Sequence, residues 1–210
     1  MLDTSEGIIE SAQFAASKMG LKNLPYKEWR MFVGPPIQNS FITHFGCTKE
    51  KAQEAANIFR AYYAAEALFK AVPYDGIYKL CDHLKCRGIK MAVATFKRED
   101  YAVKLLRYFH FDEYCSPMRG ADNYNVLTKA DIIDLCIREM NEAREDCVLV
   151  GDTEYDSLGA IQAGVAFIAV TYGFGFKNLT KANDSNVLGI ASHPGEIAEF
   201  LTEGVGKRNK

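Results

Sequence analysis

From Thr4 to Lys70 the apolar residues recur at helical spacing, and no convincing strand is expected there. Ile8, Ile9, Ala12, Ala15, Ala16 and Met19 line one face of a helix predicted over 4–20, opened by Thr4 or Ser5 as cap and stopped at Gly20. Pro25 to Phe45 reads as two short helices broken at Gly34-Pro35-Pro36, since proline lacks a backbone donor and clashes with a preceding helical turn. A long helix rich in Ala and Tyr is predicted from the Thr48-x-x-Lys51 turn to Lys70.

After Pro73-Tyr74-Asp75-Gly76 the pattern changes to short apolar runs alternating with amphipathic stretches. The expected order is helix 76–87, strand 89–94 ending at Thr95, helix 98–109, a short strand near 114–118 and helix 128–141. Strand 147–150, helix 154–163, strand 166–171, a weak strand near 188–191 and a helix from Pro194 to Leu201 come next, with a frayed tail from Gly204 to Lys210. Unbroken apolar strands between helices are what a parallel sheet covered on both faces requires. The predicted architecture is therefore α/β, a doubly wound parallel core with an all-helical insert or cap. The core takes 1–13 and 75–210, and the cap 14–74. Ligands of such sheets bind beyond the carboxyl ends of the strands, which directs attention to Thr95, the loop before Lys129, and Gly151-Asp152.

Bulk composition narrows the partners. The 210 residues are 48% hydrophobic and 25% charged, with net charge −2 and pI near 6.1, so no basic field draws the chain to nucleic acid or an anionic membrane. The six cysteines form no C-x-x-C pair, and several lie in apolar runs where a reduced thiol packs as a small hydrophobe. No stretch approaches the ~18 apolar residues of a membrane span, and Asp3, Glu6 and Glu10 stand where a signal peptide needs basic residues. A cytoplasmic protein is expected.

Three places carry candidate chemistry. In Val148-Leu149-Val150-Gly151-Asp152-Thr153-Glu154-Tyr155-Asp156, one acid ends a buried strand and a second comes a helical turn later. Such a pair suits a hard cation such as Mg²⁺, with Asp152 as ligand and Asp156 in support; Asp152 as a plain helix cap is the alternative. In Ala94-Thr95-Phe96-Lys97 a hydroxyl at a strand end can hold a phosphoryl oxygen together with backbone N–H groups, or can cap the next helix. Lys129, at the start of a helix, opposes the helix dipole; it either neutralises a bound phosphate or a nucleophilic carboxylate, or is a solvated surface lysine.

Taken in order, Thr95, Lys129 and the Asp152/Asp156 pair resemble motifs II, III and IV of the haloacid dehalogenase superfamily. Pro73-Tyr74-Asp75-Gly76 looks like that family's return from a helical cap. Phe32-Val33-Gly34-Pro35-Pro36 is similar to the cap motif of its phosphoglycolate phosphatase-like members, and Thr171-Tyr172-Gly173-Phe174-Gly175 to the glycine-rich loop after motif IV. The resemblance implies a Mg²⁺-dependent phosphatase acting on a small phosphorylated metabolite through an aspartyl-phosphate. Thr95, Phe96 and Lys129 would hold the phosphoryl group, Asp152 with Asp156 the metal, and Gly34 would contact the substrate from the cap.

The family's chains open with an apolar strand ending in D-x-D-G-T, whose first Asp attacks phosphorus and whose second is the general acid and base. Met1-Leu2-Asp3-Thr4-Ser5 matches only the segment immediately downstream of that motif. The expectation is a core lacking its central strand, with the edges of the strands ending at Thr95 and Asp152 exposed, and a polypeptide of negligible activity. An internal start codon and a genuine, non-catalytic phosphate binder or regulatory protein are the two accounts of that opening.

Overall fold

The computed structural model describes residues 1–124, 126–176 and 186–206, and for 202–206 the backbone alone. Two compact units divide the chain: one holds residues 2–73, the other Met1 with 74–210.

The first unit is built from helices α1 (Ser5–Lys18), α2 (Tyr26–Trp29), α3 (Ile37–Phe45) and α4 (Lys49–Tyr62), with a 3₁₀ turn at Arg30–Phe32 and a π turn at Tyr63–Ala67. Neither Thr4 nor Ser5 caps α1 through its side chain; Asp3 accepts the Ser5 N–H at 2.9 Å instead. Thr48 caps α4, as expected of its turn, accepting from the Lys51 N–H. Ala12, Ala15 and Ala16 of α1 and Ala52, Ala55 and Ala56 of α4 are all buried where these two helices pack. Small side chains let their backbones approach closely. Trp29, Phe32, Phe41 and Phe45 form an aromatic cluster with ring centroids 5.1 to 6.2 Å apart. The long helix expected to reach Lys70 loosens into the π turn after Tyr62, a common form of irregularity inside helices. Strands β1 (Leu2–Asp3) and β2 (Val72–Pro73) pair antiparallel where the sequence predicts no strand, because a contact between distant positions this short leaves no period-two pattern.

The second unit alternates strand and helix: α5 (Ile77–Cys86), β3 (Met91–Arg98), α6 (Glu99–Tyr108), β4 (Cys115–Ala121), α7 (Lys129–Met140), β5 (Val148–Gly151), α8 (Glu154–Ala163), β6 (Ala166–Val170), β7 (Val187–Ala191) and α9 (Pro194–Gly206). Helix α9 continues past the expected end at Leu201; of the tail expected to fray, 207–210 lie outside the described residues. All strand pairings here are parallel, as the apolar runs required. Among the described residues they form two sheets rather than one: β3 with β4, and β5-β6-β7. Helix α7 packs on β3, β4 and α8, while α8 packs on β5 and β6, so the helical layer spans both sheets. Ile133, Ile137, Ala160, Ala163, Val165, Phe167 and Ala169 make the core beneath it, with Ala94 of β3 and Leu149 of β5 packed against the same cluster.

Candidate active site

Lys129 ties β3 to the first turn of α8. Its Nζ donates to the Ala94 carbonyl at 2.7 Å and lies 2.7 Å from Asp156 Oδ1. Lys129 is 8% exposed, which rules out a solvated surface lysine and leaves a cation fixed between the two sheets. It occupies the first position of α7 because Thr128 caps that helix in a reciprocal box with Asp131, and because Asp122 accepts the N–H groups of Tyr124, Val126 and Leu127, shaping the loop that leads there. Gly159 leaves room for the lysine stem: a Cβ there would meet Lys129 Cγ at 2.4 Å.

Asp156 uses both carboxylate oxygens inside the protein. Oδ1 pairs with Lys129, and Oδ2 accepts from the Asp152 and Thr153 N–H groups at 3.2 and 3.1 Å and from the Thr153 hydroxyl at 2.8 Å. Burial alone would raise its carboxyl, but the charge of Lys129 and these donors outweigh burial and hold it below the ordinary range. With its oxygens so engaged, Asp156 braces the turn that presents Asp152. Gly151 permits this fold-back, since a Cβ at that position would meet Asp156 Cβ at 2.3 Å.

Asp152 comes directly after β5 and does not cap α8, a task Thr153 performs in a box with Asp156. Its Oδ2 accepts the Phe174 N–H at 2.6 Å, and its backbone carbonyl accepts from Gly175 and Phe176. The glycine-rich loop therefore wraps this residue; a Cβ on Gly173 would stand 2.2 Å from Asp152 Oδ2. Burial raises the Asp152 carboxyl above its usual range, a cost that a bound cation would offset. Its Oδ1 takes no hydrogen bond among the described residues. Mg²⁺ is commonly held by one or two carboxylates together with waters and substrate phosphate oxygens, and a half-buried carboxylate with one oxygen to spare fits that habit. No group of three or more His, Cys, Asp or Glu suited to a metal occurs among the described residues.

Thr95 lies within β3 rather than at its end. The strand runs on to Arg98 with a register shift against β4 after Ala94, and α6 starts at Glu99 with Arg98 in the cap position. Thr95 is thus no helix cap; its Oγ1 accepts the Lys97 N–H at 3.1 Å in a local turn. The next residue, Phe96, places its ring 5.6 Å from Lys129 Nζ and 5.7 Å from the ring of Tyr155. Thr95, Phe96, Lys129, Asp152 and Asp156 accordingly gather in one region of the second unit. Gly34 belongs to the first unit, at φ 109° in the break before α3, a conformation that favours glycine. Sequence reasoning passed over Tyr155 and the Phe174 N–H, although both lie inside motifs it had singled out.

Known proteins share this arrangement of elements. Residues 1–170 match the family described as haloacid dehalogenase-like hydrolase, and the chain belongs to that family. It is 33% identical over 184 residues to a 5'-nucleotidase of Pseudomonas aeruginosa, covering 87% of this chain and 83% of that protein. It is 28% identical over 205 residues to tyrosine-protein kinase PtkA of Mycobacterium tuberculosis, covering 96% of this chain and 69% of that one. Among solved structures, a predicted phosphatase from Clostridium acetobutylicum superimposes with a TM-score of 0.85 at 29% identity, covering 98% of this chain and 94% of that chain.

Proposed function

We propose that this site is the phosphoryl- and Mg²⁺-holding part of a phosphatase for small phosphate monoesters. The observation that carries the reading is Lys129, a buried cation tying β3 to the first turn of α8, beside a turn that presents a raised carboxylate. Lys129 and the Thr95 hydroxyl would bind the non-bridging oxygens of the phosphoryl group, and Asp156 would keep Lys129 in place. Asp152 would hold Mg²⁺, which when bound supplies positive charge against the phosphoryl oxygens. The helical unit would act as a cap, with Gly34 as its contact to the substrate. The 5'-nucleotidase relative and the phosphoglycolate phosphatase-like motifs agree on a phosphate ester and differ in the alcohol attached to it.

Attack on phosphorus belongs, by the family resemblance, to the first Asp of D-x-D-G-T, and that string does not occur in the 210 residues. The polypeptide of this sequence is accordingly expected to bind phosphate and Mg²⁺ with negligible turnover. Calorimetric titration with inorganic phosphate in MgCl₂ tests the site: Thr95→Val and Asp152→Asn should each weaken binding at least about tenfold, and unchanged affinity in both would refute it. Mg²⁺-dependent hydrolysis of p-nitrophenyl phosphate, abolished in Asp152→Asn, would instead show that these residues suffice for catalysis and overturn the expectation of silence.

A further inference from the structure

The rings of Phe96 and Tyr155 meet edge to face, with centroids 5.7 Å apart and planes at 85°. They come from different elements, the irregular end of β3 and the first turn of α8, and both flank residues of the phosphoryl site: Phe96 is next to Thr95, and Tyr155 is next to Asp156. Neither ring belongs to the apolar core under α7 and α8. Tyr155 is 37% exposed and Phe96 is half-buried, so the pair leaves ring surface uncovered beside residues of the site. Two perpendicular rings make a corner in which a third flat ring can stack on one wall and meet the other edge-on.

Distance ties this corner to the anion. Lys129 Nζ is 5.6 Å from the Phe96 centroid. A phosphoryl oxygen bound to that ammonium lies ~2.8 Å from Nζ. An aromatic ring joined directly to the ester oxygen can therefore reach the ~4.5–7 Å centroid separation at which aromatic rings attract one another. An aliphatic alcohol of the same size gains only contact area.

Building on the phosphoryl site proposed above, we infer that Phe96 and Tyr155 are specificity-determining residues that select phosphate esters whose alcohol is a flat aromatic ring, that is, aryl phosphates.

The test is a comparison of phenyl phosphate with cyclohexyl phosphate, a ring of the same size that lacks a π face. Both are titrated calorimetrically in MgCl₂ at about pH 8, where each is a dianion, and inorganic phosphate is measured alongside. The intact chain should bind phenyl phosphate about 3- to 10-fold more tightly than the cyclohexyl ester. Phe96→Leu should bring that ratio close to one, and Tyr155→Leu, at an exposed position that tolerates replacement, should lower it in part. Equal affinities in the intact chain, or a ratio that survives Phe96→Leu, would overturn the inference while leaving the phosphoryl site standing. Failure of all three ligands to bind, inorganic phosphate included, would bring down the site and the inference together.

Discussion

The two parallel sheets of the second unit contrast sharply. Strand β6 is hydrogen-bonded on both sides, and Phe167, Ile168, Ala169 and Val170 are all buried. Strand β3 is longer, yet every residue from Met91 to Arg98 is only half-buried, its register against β4 shifts twice, and it pairs on one side among the described residues. Site residues divide the same way. The regular β5–β6 ladder delivers Asp152 at a strand end, in a turn braced by hydrogen bonds, whereas the irregular strand carries Thr95 and Phe96 in mid-course. A regular ladder fixes where a side chain emerges, and a bulge re-aims it. Asp152 is thus set by a regular ladder, and Thr95 and Phe96 by a departure from one.

Stability measurements can break this contrast. Phe167→Ala should cost about 3–5 kcal/mol in urea unfolding, since it empties a fully buried position, whereas Val93→Ala on half-buried β3 should cost about 1 kcal/mol. Equal losses would show that β3 is as tightly held as β6. Lys129→Met should cost about 3 kcal/mol, because it leaves the buried Asp156 carboxylate without its cation at the junction of the two sheets.

The same pair governs acid stability. The Asp156 carboxyl is lowered in the folded state, so its contribution is fully present above the ordinary carboxylate value of 3.8 and is lost as pH falls through the lowered folded value. Lys129→Met should flatten that acid limb of the unfolding midpoint against pH. Thr153→Ala removes the cap of α8 and one donor to Asp156, and should cost about 1 kcal/mol by the same denaturation assay.

The smallest effect has the opposite sign. Burial raises the Asp152 carboxyl, so that group favours folding below its usual value and loses the advantage as pH rises through the folded value. Asp152→Asn should therefore raise the urea midpoint slightly at neutral pH, and the gain should vanish below about pH 4. A lower midpoint at neutral pH would mean that the Phe174 contact outweighs the burial of charge.

Much of this was legible in the sequence. The alternation after Gly76 placed each parallel strand within a few residues, because unbroken apolar runs between helices have few other solutions. Single positions were less legible. Asp152, Thr95 and Lys129 each had a plain structural alternative, and each was excluded only once Thr153, Arg98 and the buried lysine contacts were seen. The two-residue pairing of β1 with β2 left no trace in the pattern, since its partners lie far apart in the chain.

By itself, the sequence determined the class of fold, the order of its elements and the short list of residues able to do chemistry, because hydrophobic period and turn residues act locally. Tertiary structure decided which of those residues meet. Lys129 comes from the start of α7, Asp156 from α8 and the Ala94 carbonyl from β3, and they are brought within 2.7 Å contacts by the packing of α7 across both sheets. It also divided the two acids: Lys129 and local donors engage both oxygens of Asp156, while the Phe174 N–H engages one oxygen of Asp152 and leaves the other without a hydrogen bond among the described residues.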